Sequence, residues 1–176
     1  MSLLIEKAKY FAELKHAGQV RKYNGAPYTT HLQDVADIVA SVPHTDEMVA
    51  AAWLHDVVED TPTSLKEVED NFGSLVAQYV EMLTDVSKPG DGNRKFRKEL
   101  DRQHLAKAVP QAKTIKLADL INNSEDILGH AKTNKEAKAF AKVFIAEKNL
   151  LLEVLSEGDS TLYAKAKAIV GDTNVS

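Results

Sequence analysis

The sequence predicts an all-α fold of about nine helices, several of them short. Apolar residues recur at helical spacing along most of the chain, and no stretch alternates like a strand. Capping residues and breakers punctuate the apolar runs. Leu4, Ala8, Phe11 and Ala12 mark an opening amphipathic helix that stops near Gly18. Residues 19–30, QVRKYNGAPYTT, carry Asn24-Gly25 and Pro27 and read as a loop. Thr30 is placed to cap a second helix with Val35, Ile38 and Val39 on its buried side, and Pro43 breaks it. Thr45 is placed to cap a third helix, which ends at Thr61-Pro62 because a residue before proline avoids the helical region. Ser64 and Glu67 form a capping-box pattern. Gly73 separates that short helix from SLVAQYVEMLTDV, and KPGDGN follows as the most loop-like segment. Pro110 precedes a helix over AKTIKLADLINNSEDIL. Thr133 and Glu136 box the start of a long helix to about Leu155, and a last helix covers Leu162 to Val170.

With 176 residues and neither internal repeats nor a composition break, the chain reads as one domain over 1–176. A chain of this size buries roughly 70% of its unfolded surface, enough to hold a polar site inside a core. There is no cysteine, so disulfides and thiolate metal sites are excluded. The first residues lack the apolar core of a signal peptide, and no run reaches the roughly 20 apolar residues that span a bilayer. The expectation is a cytoplasmic protein without membrane contact. The formal net charge is −4, yet Lys88 to Lys116 holds nine bases and three acids. Such a segment steers a small polyanion or is simply a solvated helix face. Nucleic-acid binding is disfavoured, because no basic face is interleaved with aromatics.

The segment AAAWLHDVVEDTPTS, residues 50–64, carries the chemistry. A greasy helix ends in His55-Asp56, and Glu59-Asp60 follow one turn on, so that His55 is expected over Glu59 and Asp56 over Asp60. Four polar groups at the mouth of a buried helix are costly unless paired or metal-bound. Imidazole nitrogen and carboxylate oxygen suit manganese, iron or zinc. Further donors must come from elsewhere. His31 opens the second helix, and Asp119 stands in the apolar KLADLINN with Asn123 one turn beyond. Taken singly, each has an ordinary structural reading: a lone His-Asp dipeptide, a cap before proline, an aspartate paired with lysine. The combination favours a metal site. His16, His44, His104 and His130 have no comparable context.

The pattern H…HD…D resembles the HD phosphohydrolase superfamily. The fuller text is similar to the hydrolase domain of RelA/SpoT enzymes and their short single-domain homologues. HAGQVRKYNGAPYTTH, AAWLHDVVEDT, NFGSLVAQYVEMLTDVSK and KLADLINN occur in the family order, from about residue 5 to 128. The resemblance implies that His31, His55, Asp56 and Asp119 hold one manganese ion. It implies that Glu59 and Asp60 position or activate the attacking water. Arg21, with its neighbour Lys22, and Asn123 would touch the nucleotide. Lys88, Arg94 and Lys95 would supply positive charge to the pyrophosphate. The implied reaction is hydrolysis of the 3′-pyrophosphate of guanosine tetra- or pentaphosphate. Two departures stand out: PYTTH where the family often writes PYI-x-H, and KLADLINN where a lysine or arginine often follows the aspartate. Another phosphorylated nucleotide as substrate is the nearest alternative, and a non-catalytic nucleotide- or protein-binding module is the alternative of another class. The oligomeric state is not legible.

Overall fold

The structure is a computed structural model that describes residues 1–171. Among these residues there are ten α-helices and no strand: α1 (Leu3–Lys15), α2 (Thr29–Ala40), α3 (Asp46–Leu54), α4 (Val57–Asp60), α5 (Leu65–Phe72), α6 (Ser74–Leu83), α7 (Arg94–Ala106), α8 (Pro110–Ala131), α9 (Lys135–Leu152) and α10 (Ser160–Gly171). A 3-10 turn, Pro89–Asp91, precedes α7.

Two helices form the centre. Every residue of α3 from Met48 to Leu54 is buried, and α8 buries eleven residues along its length. A helix that is apolar all round belongs in a core, which is why α3 shows no polar face in sequence. α1, α2, α6 and α8 pack around α3, while α2, α6, α9 and α10 pack around α8. One main core joins these elements, with Trp53, Leu32, Leu54, Ile115, Leu117, Leu120 and Ile121 fully buried. A smaller cluster of Ile127, Ala137 and Ala141, with Tyr23 and Phe144 against it, ties the far half of α8 to α9.

Helix starts follow local hydrogen-bond chemistry. The hydroxyls of Thr45 and Ser64 accept from the N–H groups of Met48 and Glu67 at 3.3 and 3.1 Å, as their positions predict. Two expected caps move by a residue or more. Thr30 lies inside α2, where its hydroxyl donates to the Pro27 carbonyl, and Tyr28 is the residue at the N-cap. Asn134, not Thr133, caps α9, because its side-chain oxygen accepts from Ala137 N–H at 3.0 Å. Gly73 joins α5 to α6 with φ 88°, a conformation costly for any side chain.

The loop-like KPGDGN segment ends where α7 begins. Asn93 accepts from Phe96 N–H and starts α7 at Arg94. α7 buries only Asp101 and Leu105. Asp101 fastens it to the chain leaving α6 by accepting from Val86 N–H, Ser87 N–H and the Ser87 hydroxyl at 3.0, 2.8 and 2.8 Å. Arg94–Glu147 and Arg102–Glu153 tie it to α9.

Replacing Leu54 by alanine removes a fully buried side chain from α3. The variant should lose about 2–5 kcal/mol of stability, read as a lower urea midpoint.

Candidate metal centre and active site

The third helix is not continuous to Asp60. It ends at Leu54, His55 and Asp56 form a turn, and α4 restarts at Val57. The expected stacking of His55 over Glu59 on one helix therefore does not hold. The break has a use: side chains that would diverge by about 100° on a continuous helix instead converge. Nε2 of His55 lies 3.1 Å from Oδ2 of Asp56 and 3.6 Å from Oδ1 of Asp119, contributed by the middle of α8. Nε2 of His31, from the first turn of α2, lies 3.7 and 3.3 Å from the same two oxygens. The structure thus brings together four residues, the first and last of them 88 positions apart in sequence.

Both Nε2 atoms are buried and hydrogen-bonded to nothing, despite these short distances. His31, His55 and Asp56 offer ligand atoms that all lie within 4.8 Å of one another, and Asp119 borders this group. The opposite ring nitrogens are occupied. Nδ1 of His55 lies 2.6 Å from the Ala52 carbonyl, which can only accept, so Nδ1 carries the hydrogen. Nδ1 of His31 lies 2.6 Å from Oδ1 of Asn122, whose amide nitrogen is turned to Asp34 at 3.0 Å. In each neutral imidazole the free lone pair is then on Nε2, the arrangement that outer partners impose on metal-ligating histidines. Buried nitrogen and carboxylate donors of this kind fit a divalent cation.

The carboxylates are held as firmly. Tyr28 hydroxyl donates to Oδ2 of Asp56 at 2.6 Å. Lys116 Nζ donates to Oδ2 of Asp119 at 2.8 Å, and Asn123 Nδ2 to its Oδ1 at 2.6 Å. Arg21 donates to Asn123 at 3.2 Å and pairs with Asp126 at 2.8 Å. Burial opposes ionisation of Asp56 and Asp119, yet the His55 charge for the first and Lys116 for the second hold both below the usual carboxylate range. Burial also opposes a charged His55, but Asp56 and Asp119 outweigh it and raise its pKa well above 6.5. Tyr28, buried beside Asp56, is raised far from its ordinary value and stays a donor.

Glu59 and Asp60 lie beside this cluster. Burial and then Asp85 push Glu59 up to about 7, and burial and Asp56 raise Asp60. Glu59 accepts from the Asp85 N–H. They line a polar cleft of about 430 Å³ whose opposite wall carries Arg94, Arg97 and Lys98. Of the expected cations, Arg94 reaches this wall while paired with Glu147. Lys95 lines a neighbouring groove of about 950 Å³ between α7 and α9. Lys88 is exposed and lines neither cavity. Lys22 lies over the rings of Tyr23 and Phe140.

Arg97 does not stand out in the sequence, yet its Nε is buried without a hydrogen-bond partner in the cleft wall. Tyr28 and Asn122 also escape sequence reasoning. Tyr28 stands three residues before His31, and Asn122 three after Asp119, so helical spacing from the candidate ligands could have found both. His16, a further buried imidazole, stacks on Tyr28 with ring centres 5.3 Å apart. The leucine that replaces a basic residue after Asp119 is fully buried. That departure falls on packing, not on the cleft.

The HD domain family matches residues 8–146. The chain belongs to the HD domain family. The human guanosine-3′,5′-bis(diphosphate) 3′-pyrophosphohydrolase MESH1 is 40% identical over 127 residues, covering 70% of this chain and 69% of that one. The guanosine-3′,5′-bis(diphosphate) 3′-pyrophosphohydrolase of Aquifex aeolicus is 34% identical over 146 residues. This HD-domain chain spans only 20% of the length of that relative. A solved structure of a metazoan ortholog of SpoT that hydrolyzes ppGpp superimposes with a TM-score of 0.84 at 28% identity, covering 100% of this chain and 98% of that one. Among the described residues no helix is long and apolar enough to cross a membrane.

Asp56→Ala deletes one donor of the four. Metal analysis after manganese loading and desalting should find the variant empty and the wild type loaded. Affinity should also depend on pH with a definite sign. Below its raised pKa, His55 of the metal-free protein carries a proton on the nitrogen a cation needs. Affinity should therefore rise with pH through neutrality by up to about tenfold per unit for one displaced proton. Calorimetry in buffers of different ionisation enthalpy should show that proton released.

Proposed function

We propose that this chain is a manganese-dependent pyrophosphohydrolase acting on guanosine 3′,5′-bis(diphosphate), with residues 1–176 forming one HD-type domain. The carrying observation is the four-donor cluster with two orphaned imidazole nitrogens, set beside two carboxylates of raised pKa and facing a cationic wall. The names of the relatives at 34% and 40% identity support the substrate. The metal-ligand roles of His31, His55, Asp56 and Asp119 are part of this reading. So are manganese, a small-molecule substrate and a cytoplasmic setting.

When bound, the divalent ion lowers the pKa of water and offsets charge on a phosphoryl oxygen. Every other task falls to side chains. Glu59, with a pKa of about 7 in the metal-free protein, is poised to take a proton from water near neutral pH. Asp60 orients that water from the adjacent position. The water oxygen bonds to the phosphorus carried on O3′, the P–O3′ bond breaks, and O3′ leaves with a proton. The products are GDP and pyrophosphate. Arg97 and Lys98 hold the departing pyrophosphate oxygens, and the buried Arg97 Nε gains the partner it lacks. Arg21, through Asn123, fixes the sugar side of the substrate relative to Asp119.

Metal-stripped protein given manganese and guanosine tetraphosphate should release GDP and intact pyrophosphate, read by ion-exchange chromatography. Glu59→Gln should keep its metal and lose turnover by about 10²-fold or more. Near-normal turnover in that variant would sink the role given to Glu59. Metal uptake without product would point to another phosphorylated nucleotide or to a binding module.

A further inference from the structure

Of the five lysines that line the groove between α7 and α9, three from three helices, Lys98, Lys116 and Lys148, lie toward the His-Asp cluster or the polar cleft or have no acid partner. Two of them face acids. Lys98 pairs with Asp85 at 3.4 Å and Lys116 with Asp119 at 2.8 Å. Lys148 is half-buried and makes no hydrogen bond or ion pair among the described residues. Its one contact of note is with the Phe144 ring, 4.7 Å from Nζ to the ring centre. Burial, and then repulsion from Lys116, bring its pKa down to about 8.

A half-buried lysine that lines a groove without a hydrogen-bonded carboxylate is open to an incoming anion. Stacking on Phe144 satisfies it only in part, since cation–π attraction is weaker than a charged hydrogen bond. The helix could satisfy the position with an apolar residue, because Ala146, Leu150 and Leu151 line the same groove. The groove also contains Asp85 and Lys116, which border the metal cluster and the polar cleft, so the two cavities share a wall. The missing partner of Lys148 is then an anion that enters with a ligand.

We propose that Lys148 is a substrate-binding residue that donates to phosphoryl oxygens lying on the α7–α9 side of the metal cluster. It draws α9 into the substrate site beside Glu147, which is already engaged with Arg94. The phosphoryl identity of the ligand rests on the hydrolase reading above, whereas its negative charge is argued from the groove lysines.

The test measures inorganic pyrophosphate affinity by titration calorimetry on the manganese-loaded protein and its variants. Lys148→Met should weaken binding about tenfold or more, and Lys148→Arg should restore most of it. Lys142→Met, which removes an exposed lysine from the same groove, should change affinity less than about twofold. The thermal midpoint of Lys148→Met should hold or rise, since methionine keeps the packing on Phe144 and the variant breaks no hydrogen bond or ion pair. Unchanged affinity in Lys148→Met would overturn the proposal. So would an equal loss in Lys142→Met, which would make the effect one of groove charge alone. If the wild type fails to cleave guanosine tetraphosphate while Lys148→Met still loses pyrophosphate, the substrate reading fails and the role of Lys148 stands.

Discussion

Two aspartates and two histidines share one buried space, and the rest of the fold is arranged around keeping them there. Their mutual attraction is large only because water is excluded, and the same exclusion makes any unpaired member expensive. The surrounding groups answer that constraint one atom at a time. A backbone carbonyl and an amide oxygen take the outer imidazole nitrogens, a phenol and a lysine donate to the carboxylates, and the Nε2 atoms are left facing inward. α3 and α8 must be apolar elsewhere so that this polar knot can be carried at the centre of the domain.

The break after Leu54 links the sequence of the site to its chemistry. A continuous helix would have turned His55 and Asp56 apart. Ending α3 there frees the His55 ring to reach back to its own last turn and points Nε2 toward α8. The single turn of α4 then restarts at once, with Asp60 N–H bonded to the Asp56 carbonyl at 2.9 Å. This sets Glu59 and Asp60 at the rim, where the cleft begins. Chain direction changes, but little backbone hydrogen bonding is lost.

Much of this is legible in the sequence, for reasons that are local. Hydroxyl caps at Thr45 and Ser64, the breaker at Pro43 and the proline opening α8 act within a turn of themselves, so the residues show them directly. The candidate ligands are legible because His and Asp are costly in apolar surroundings unless something binds them. What stays hidden depends on distant contacts. α7 is a highly charged segment whose helix is secured by Asp101 reaching back to Val86 and Ser87, and no periodic apolar stripe announces it. The same holds for Arg97, whose importance lies in having no partner for Nε, a property that exists only in three dimensions. The stacking expected of His55 over Glu59 fails because periodicity cannot reveal a short interruption in an otherwise helical run.

The slender attachment of α7 has a consequence for how the molecule fails. The cluster of His31, His55, Asp56 and Asp119 is built on α2, the turn after α3, and α8, which belong to the main core, whereas α7 contributes one buried leucine, one buried aspartate and surface ion pairs. Surface pairs of this kind add little to stability. Opening of α7 therefore costs far less than unfolding of the core, and the two events are thermodynamically separate. A molecule in that partly open state keeps its His-Asp cluster whole and loses the cations on the opposite wall. Loss of grip on an anionic ligand and loss of the fold then occur as distinct steps, with the weaker one confined to a single helix.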